Sequence, residues 1–290
     1  MTPEPAAEKI LSAILEDNKS KIGRIGEKHE KIRQVKAVAG NTKPNPDKLF
    51  VAEGIWSHEK ILELHIPVRS FIFCPNLIFT AQTARIAERF MELTDDVYAV
   101  SDKTFMKISE RDRADGLLSV CEFPVCSLSG LPLYKNSLVV VLDGCEIPGN
   151  VGTIARTCDG AKVDAIFLVN RRVRLTHPKV VKGSMGGALA VPFFEFDTVA
   201  GCAEWLKARN FSIYIADTAA EKFYYECEYA GRSALVMGSE RYGADGGWYV
   251  GGAQTLSIPM LGVCDSLNVG VAASIILYDM SVKLGKTRAD

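Results

Sequence analysis

The sequence predicts an α/β protein whose second half is a parallel sheet covered by helices on both faces, preceded by a smaller α/β unit. Three observations predict it. Short apolar runs ("SLVVVLD", "VDAIFLV", "FSIYIAD", "SALVMGS") alternate with helical stretches over residues 137–290, and strands that are apolar on both faces belong to parallel sheets. The most unusual turns of that half, "EIPGN", "GSERYGA" and "CDSLN", fall at element boundaries, where such sheets keep their ligand sites. The 290 residues are 48% hydrophobic, enough for one large or two ordinary domains with real cores.

Taken in order, residues 1–17 read as an amphipathic helix, with Ile10, Leu11, Ile14 and Leu15 at helical spacing. Residues 18–48 are basic and polar and end in the Pro/Gly loop "GNTKPNPDK". "LFVAEGIWSHEKILEL" is a strand, a Gly turn and a helix. "VRSFIFC" is a strand, "TARIAERFMEL" a helix, "DVYAVS" a strand, "DKTFMKISE" a short helix and "GLLSVCEF" a strand. Together they make a βαβ-type unit. "PVCSLSGLP" reads as a linker. After "SLVVVLD" the chain breaks at Pro148-Gly149 and restarts as a helix. "GGALAVPFFEF" leads to a further strand, "CAEWLKARN" is a helix, "TLSIPM" a last strand and "SLNVGVAASIILYDMSVKL" a long final helix. The division expected is 1–29 as a helical and basic extension, 30–123 as the first domain, 124–136 as linker and 137–290 as the second domain.

The totals exclude several classes. No run of about 18 apolar residues is present and "MTPEPAAEKI" lacks the apolar core of a signal peptide, so a cytoplasmic protein with no membrane partner is expected. Eight cysteines are scattered without C-x-x-C pairs and only four His accompany them, so no metal site is expected and the thiols read as reduced and mostly buried. The net charge of −1 does not advertise a polyanion partner, but its distribution does. Residues 19–48 carry nine Lys/Arg against three Asp/Glu, and "NRRVRLTHPKVVKG" (170–183) carries Arg171, Arg172, Arg174, Lys179 and Lys182 with no acid. Each cluster alone reads as solvated surface; two in one near-neutral chain suit a polyanion, which needs only a local patch.

The turns are distinctive mainly as a set. "GNVGTIA" lacks the G-x-G-x-x-G of a dinucleotide site, and no G-K-[ST] of a P-loop occurs. Taken alone, Pro148-Gly149 is a turn, Asn150 an N-cap, Arg156 a surface charge and Glu240 a cap of the next turn. Ser266 or Asp265 then caps the last helix, with Asn268 in its first turn and small residues Gly270, Ala272 and Ala273 behind it.

Together "PGNVGTIARTCD", "LVMGSERYGA" and "LSIPMLGVCDSLNVGVAASIILYD" resemble, in order and spacing, the three motifs of the SpoU (TrmH) RNA 2′-O-methyltransferases of the SPOUT class. The resemblance covers about 138–285. A looser one, in "RQVKAVAGN…LFVAEGIWSHEKILE" and "VSDKTFMKISERDRADGLLSV", likens 30–123 to the family's substrate-binding domain, an α/β fold akin to a ribosomal protein. What the resemblance implies is a trefoil-knotted parallel-sheet domain, one of the exceptions to unknotted chains. It further implies a homodimer through that domain, S-adenosyl-L-methionine as cofactor, and methylation of a ribose 2′-hydroxyl in structured RNA, ribosomal RNA ahead of tRNA. Catalytic roles carry over to Asn150, Arg156, Glu240, Ser266 and Asn268, and cofactor contacts to Gly238, Ile258, Met260, Leu267 and Asn268. The sequence departs from the pattern at Ile147, where the family usually has Asp or Asn, at Lys162 for Gly and at Gly270 for a frequent Ser. A non-catalytic RNA-binding protein of the same fold and a dinucleotide-dependent oxidoreductase are the competing classes. The four motif residues Asn150, Arg156, Glu240 and Asn268 argue against the first, and the missing glycine fingerprint against the second.

The chemistry implied is an in-line displacement by a weak nucleophile, which needs positioning and help with a proton. Arg156 either accepts that proton beside an RNA phosphate or clamps the phosphate and stabilises the alkoxide while water takes the proton. A guanidinium with a pKa above about 12 favours the clamp. Glu240 is expected to orient Arg156 or the backbone of the third motif.

Overall fold

Alternating strands and helices divide the chain after Phe123, into one unit spanning Met1–Phe123 and a second spanning Pro124–Asp290. The structure is a computed structural model and describes residues 2–249 and 251–286. Residues 1, 250 and 287–290, which include the outer ends of the expected extension and of the second domain, lie outside the described residues.

The first unit runs α1 (Pro5–Asp17), β1 (Ile22–Arg24), α2 (Glu30–Ala39), β2 (Leu49–Glu53), α3 (Ile55–Glu63), β3 (Val68–Phe73), α4 (Ala81–Leu93), β4 (Val97–Ala99), α5 (Asp102–Phe105) and β5 (Leu117–Glu122). Its sheet has the order β1-β4-β3-β5-β2. β1, β4 and β3 are parallel, and β5 is antiparallel to both its neighbours. Segment 1–29 contributes to this unit: α1 buries Ala7 and Ile14 and packs on α4, and β1 is the edge strand on β4. α2 lies within the stretch read as merely basic. His29 caps it by accepting from Lys31 N at 3.3 Å, and Ile32 and Val35 enter the core.

His58 of α3 is fully buried against Phe90, ring centroids 4.5 Å apart. Its Nδ1–H donates to Gly54 O (2.8 Å) and its Nε2 faces Ser119 Oγ at 3.0 Å. Both ring nitrogens are satisfied by a neutral imidazole, and burial pulls its pKa down to about 4.

The second unit runs β6 (Leu138–Asp143), α6 (Pro148–Gly160), β7 (Ala165–Val169), α7 (Pro178–Ser184), α8 (Gly187–Ala190), β8 (Phe193–Glu195), α9 (Val199–Lys207), β9 (Phe211–Ala216), β10 (Arg232–Met237), β11 (Gln254–Leu256) and α10 (Val269–Lys283). Its six strands have the order β11-β9-β10-β6-β7-β8 and every pairing is parallel. β6 and β7 are buried along their whole length, as strands covered on both faces must be. Residues 124–136, expected as linker, supply Leu128, Leu131 and Leu133 to this core.

From β6 the chain builds outward through β7 and β8, then crosses back to β9 and β10 on the other side. The strand order therefore reverses between β6 and β10, and the carboxyl ends there are where open parallel sheets bind ligands. α6 packs on α7 at backbone distance. A Cβ on Gly152 would stand 2.8 Å from Val180 O, so no larger residue fits there without moving a helix.

α10 is strongly apolar, its charged residues being Asp279 and Lys283, which pair with each other at 2.8 Å. One face, with Ala273, Ile276, Leu277 and Met280, is buried in the unit, while Val271, Tyr278 and Val282 on the other are 46–59% exposed. Where a helix is apolar on two opposite faces, both are ordinarily covered.

Candidate active site

The three distinctive turns meet at the point where the strand order reverses. β6 ends at Asp143, Gly144 takes a left-handed φ of +68°, and Pro148 opens α6 at its first position, where a missing N–H costs nothing. Asn150 is therefore not the cap of α6, as its residue type suggested; it lies inside the first turn and is buried (8% exposed). Asn268 is the cap of α10 instead of lying in its first turn. Its Oδ1 accepts from Gly270 N (2.9 Å) and Val271 N (3.4 Å).

One chain of hydrogen bonds joins all three turns. Asn268 Nδ2 donates to Asn150 Oδ1 at 3.0 Å, and Asn150 Nδ2 donates to Glu240 Oε1 at 2.7 Å. Glu240 Oε2 in turn accepts from Glu146 N at 3.2 Å. Both ends of the Asn150 amide are thereby committed, which fixes its orientation.

This corrects the role expected for Glu240, since its carboxylate holds Asn150 and the backbone before α6, not Arg156. The reason is helical geometry. Six residues turn about 240° net, at 100° each, so Asn150 faces the sheet ends and Arg156 the exposed crest of α6. Arg156 makes no hydrogen bond or ion pair to another described residue.

The turn after β10 is rigid. Ser239 N donates to Gly243 O (2.9 Å), Gly243 N donates back to Ser239 O (3.0 Å), and Tyr242 N donates to Ser239 Oγ (3.0 Å). A Cβ on Gly238 would lie 2.0 Å from Gly243 C, so only glycine permits the closure. The returning leg is pinned by the buried carboxylate of Asp143. Asp143 Oδ2 accepts from Asp245 N (2.7 Å) and Trp248 Nε1 (3.0 Å), and its Oδ1 accepts from Asn170 Nδ2 (2.8 Å).

These turns line a cleft of about 790 Å³ at the ends of β9, β10 and β11, in the size range of small-molecule sites. Asn150, Glu240, Ser266 and Asn268 line it, as do Gly238, Ile258, Met260 and Leu267; Arg156 does not. Ser266 is exposed and its hydroxyl donates to Asp265 Oδ1 at 3.3 Å. Residues outside the three motifs also line the cleft, among them Ala216 at the end of β9, Asp217 directly after it, and Tyr249; within the third motif, Leu256 at the end of β11, Ser257 directly after it and Ile276 of α10 join them. Asp217 had a usable signal, since it directly follows the apolar strand "FSIYIA". It accepts from Tyr249 Oη at 2.8 Å. Burial first, and then this bond, push the phenol up to about 12.

The charged residues of the lining are Asp217, Glu240 and Asp265 against Arg241. An excess of acid suits a ligand carrying net positive charge and opposes a pyrophosphate. Nearby Cys145, its thiol directed at Gly238 O at 3.8 Å, is pushed up to about 12 by burial and then by the charges of Glu240 and Asp143; it is not a nucleophile. Among the described residues no group of three or more His, Cys, Asp or Glu is arranged to hold a metal ion. Nor is any described helix long and apolar enough to cross a membrane. All eight cysteines are free thiols, Cys126 and Cys264 being the exposed ones.

Among the comparisons with known proteins, the family pattern falls on the same half of the chain as the cleft. The sequence pattern of the SpoU rRNA Methylase family fits residues 137–278. A 23S rRNA (uridine(2479)-2′-O)-methyltransferase of Streptomyces viridochromogenes is 24% identical over 272 residues, covering 88% of this chain and 91% of that protein. The 23S rRNA (guanosine(2553)-2′-O)-methyltransferase RlmP of Bacillus subtilis is 27% identical over 183 residues, 63% of this chain and 71% of that protein. The crystal structure of an AdoMet-bound rRNA methyltransferase from Sinorhizobium meliloti shares the fold. Its TM-score is 0.79 at 22% identity, over 90% of this chain and 97% of that one.

Proposed function

The chain belongs, through residues 137–278, to the SpoU rRNA methylase family, and on that premise we propose that it transfers a methyl group from S-adenosylmethionine to a ribose 2′-hydroxyl of ribosomal RNA. The observation that carries this reading is the bonded series Asn268–Asn150–Glu240, which unites the three family motifs around one cleft. The relatives named above, 23S rRNA 2′-O-methyltransferases, act on the same class of RNA.

The cleft suits the cofactor by size, by its apolar walls at Leu256 and Ile276, and by its acidic lining. Gly238, Ile258, Met260, Leu267 and Asn268 are the residues that would hold it. Bound there, S-adenosylmethionine supplies a methyl group already activated by the sulfonium charge. Asn150 and Asn268 act as a bracket that fixes the first turn of α10 against Glu240, and Ser266 lies in the segment that leads into that cap. Arg156, exposed on α6, is available to an RNA phosphate. In this reading its guanidinium clamps that phosphate in bidentate fashion and so brings its charge to the developing alkoxide, while water carries the proton away. Ile147, 49% exposed at the rim, gives the entrance an apolar lip where the family usually has a polar one.

A homodimer through this unit is part of the reading. It is supported by the exposed face of α10, where Val271, Tyr278 and Val282 recur at i, i+7 and i+11. The trefoil knot is supported by the crossing back from β8 to β9 and by the third-motif segment sharing the cleft with the second-motif turn. The first unit, with its basic residues, is assigned to RNA binding. The free thiols accord with a cytoplasmic location.

Mapping 2′-O-methylation across total RNA from cells with and without the protein tests the function. One or a few ribosomal RNA positions should lose their mark when it is absent. An unchanged ribosomal RNA, or a change confined to tRNA, would overturn the substrate.

A further inference from the structure

The rigid turn between Gly238 and Gly243 uses its residues unequally. Gly238 and Ser239 close it, Gly243 supplies a left-handed φ of +71°, and Glu240 reaches inward to Asn150. The side chains of Arg241 and Tyr242 do none of this. Tyr242 is 74% exposed, and its ring lies under the Arg241 guanidinium, 5.3 Å from Cζ to centroid. Nothing in the fold of this unit requires an aromatic residue at that position.

The pair nonetheless sits on the rim of the cleft and lines it beside Glu240. An exposed aromatic beside a guanidinium, on a turn closed by its own hydrogen bonds, is a platform for a flat partner with a π-face. Its backbone is ordered before anything binds: Tyr242 N is tied to Ser239 Oγ, and the returning leg is tied to Asp143. Binding there orders only two side chains, which keeps its entropic cost small.

We infer that Tyr242 and Arg241 form the surface on which an unpaired base of the substrate RNA stacks, and that they thereby hold the target ribose at the mouth of the cleft. This rests on the functional reading above and adds the residues that grip the nucleotide. Sequence-selective recognition of RNA acts largely on unstacked bases laid on aromatic rings or arginine planes. Tyr242 is a positioning residue here: it acts on the base, not on the reacting oxygen.

The test uses the full chain with Tyr242→Ala, Tyr242→Phe, Tyr242→Trp and Arg241→Ala. Methyl transfer is measured to transcribed 23S ribosomal RNA and to ribosomal subunits, and S-adenosylmethionine affinity by calorimetry. Tyr242→Ala should raise the KM for RNA roughly 5- to 100-fold, the loss of one stacked base. Its cofactor affinity should stay within about twofold, the scatter of one affinity measurement. Phe and Trp should restore KM, since only the ring is needed, and Arg241→Ala should weaken it in the same direction. An unchanged KM in Tyr242→Ala, or a Phe variant as poor as Ala, would overturn the inference while leaving the methyltransferase reading intact. Loss of cofactor affinity in step with KM would overturn it too, making Tyr242 a wall of the cofactor site. Wild-type protein that transfers no methyl group to either RNA would instead sink the functional reading, and this inference with it.

Discussion

Asn150 Nδ2 lies 2.7 Å from Glu240 Oε1, a bond between residues 90 positions apart that ties the start of α6 to the turn after β10. Asn150 is buried, and its other end accepts from Asn268. Asn150→Asp replaces the donor with an oxygen and sets two carboxylates against each other. It should cost about 1–3 kcal/mol of stability, the scale of an unsatisfied buried polar group, and activity should fall well beyond the unfolded fraction. Urea unfolding and methyl transfer measured on the same preparations check this. Wild-type activity in Asn150→Asp would show that the series is not needed.

Arg156 stands apart from the cleft that its motif neighbour lines. Arg156→Ala should therefore leave S-adenosylmethionine affinity nearly unchanged while turnover falls about 10²-fold or more, as for loss of one positioned charge-stabilising group. Arg156→Lys should rescue little, because a point charge does not copy a bidentate fork. Calorimetry and single-turnover kinetics on the three proteins decide it. A parallel loss of cofactor binding and catalysis would make Arg156 a pocket residue.

The basic stretch after β7 is not uniform. Arg171 Nε is paired with Glu195 at 2.7 Å, whereas Arg172, Lys179 and Lys182 are exposed. Alanine at these last three should lower the salt dependence of RNA affinity by roughly one unit of log–log slope per lost phosphate contact. Arg171→Ala should lower it less. Fluorescence anisotropy from 50 to 300 mM salt, a range of about the width used for such slopes, gives the comparison. Equal slopes throughout would place the RNA elsewhere.

α10 presents an exposed apolar strip made of Val271, Tyr278 and Val282. Tyr278→Glu combined with Val282→Asp should convert a dimer into monomers in sedimentation experiments, since a charge in a dry interface is strongly disfavoured. The far-ultraviolet signal should persist, because both side chains point away from the unit's own core. A wild-type protein that sediments as a monomer would remove the dimer from the reading.

His58 makes the first unit sensitive to acid. Its folded pKa is pulled from 6.5 to about 4. Protons therefore bind the unfolded chain first, and stability should fall as pH drops from about 6.5 towards 4. The full shift is equivalent to about 3 kcal/mol. Above pH 6.5 the group is neutral in both states and contributes no slope. His58→Gln should be less stable at pH 7.5 yet flatter through the window. Equal slopes in the two proteins would rule the histidine out as the cause.

Much of this molecule was legible in residue order, and the exceptions share a cause. The strands of the second half declared themselves because burial on both faces leaves unbroken apolar runs such as "LVVVL". β1 did not: its three residues, Ile22–Arg24, carry no pattern and hold their form only through pairing with β4. α2 was hidden by the basic residues on its solvent face, although Ile32 and Val35 anchor the other. At the site, sequence named Asn150, Glu240, Ser266 and Asn268 of the cleft lining but not Asp217 or Tyr249, nor who bonds whom. That Glu240 serves Asn150 and not Arg156 follows from the direction of two side chains on α6, which the motif spacing alone does not convey.

Asp143 anchors the loop that carries Glu240, and one of the groups it holds is the indole N–H of Trp248, a ring only 1% exposed. That makes Trp248 an optical reporter. Its fluorescence is emitted from a dry site beside a fixed carboxylate, and seating or release of the loop changes both. Of the other two indoles, Trp56 is 39% exposed and Trp205 lies beneath Arg209 at 4.1 Å, away from that carboxylate. With those two replaced by phenylalanine, the emission of a single native residue would follow in real time how the loop responds when cofactor or RNA arrives.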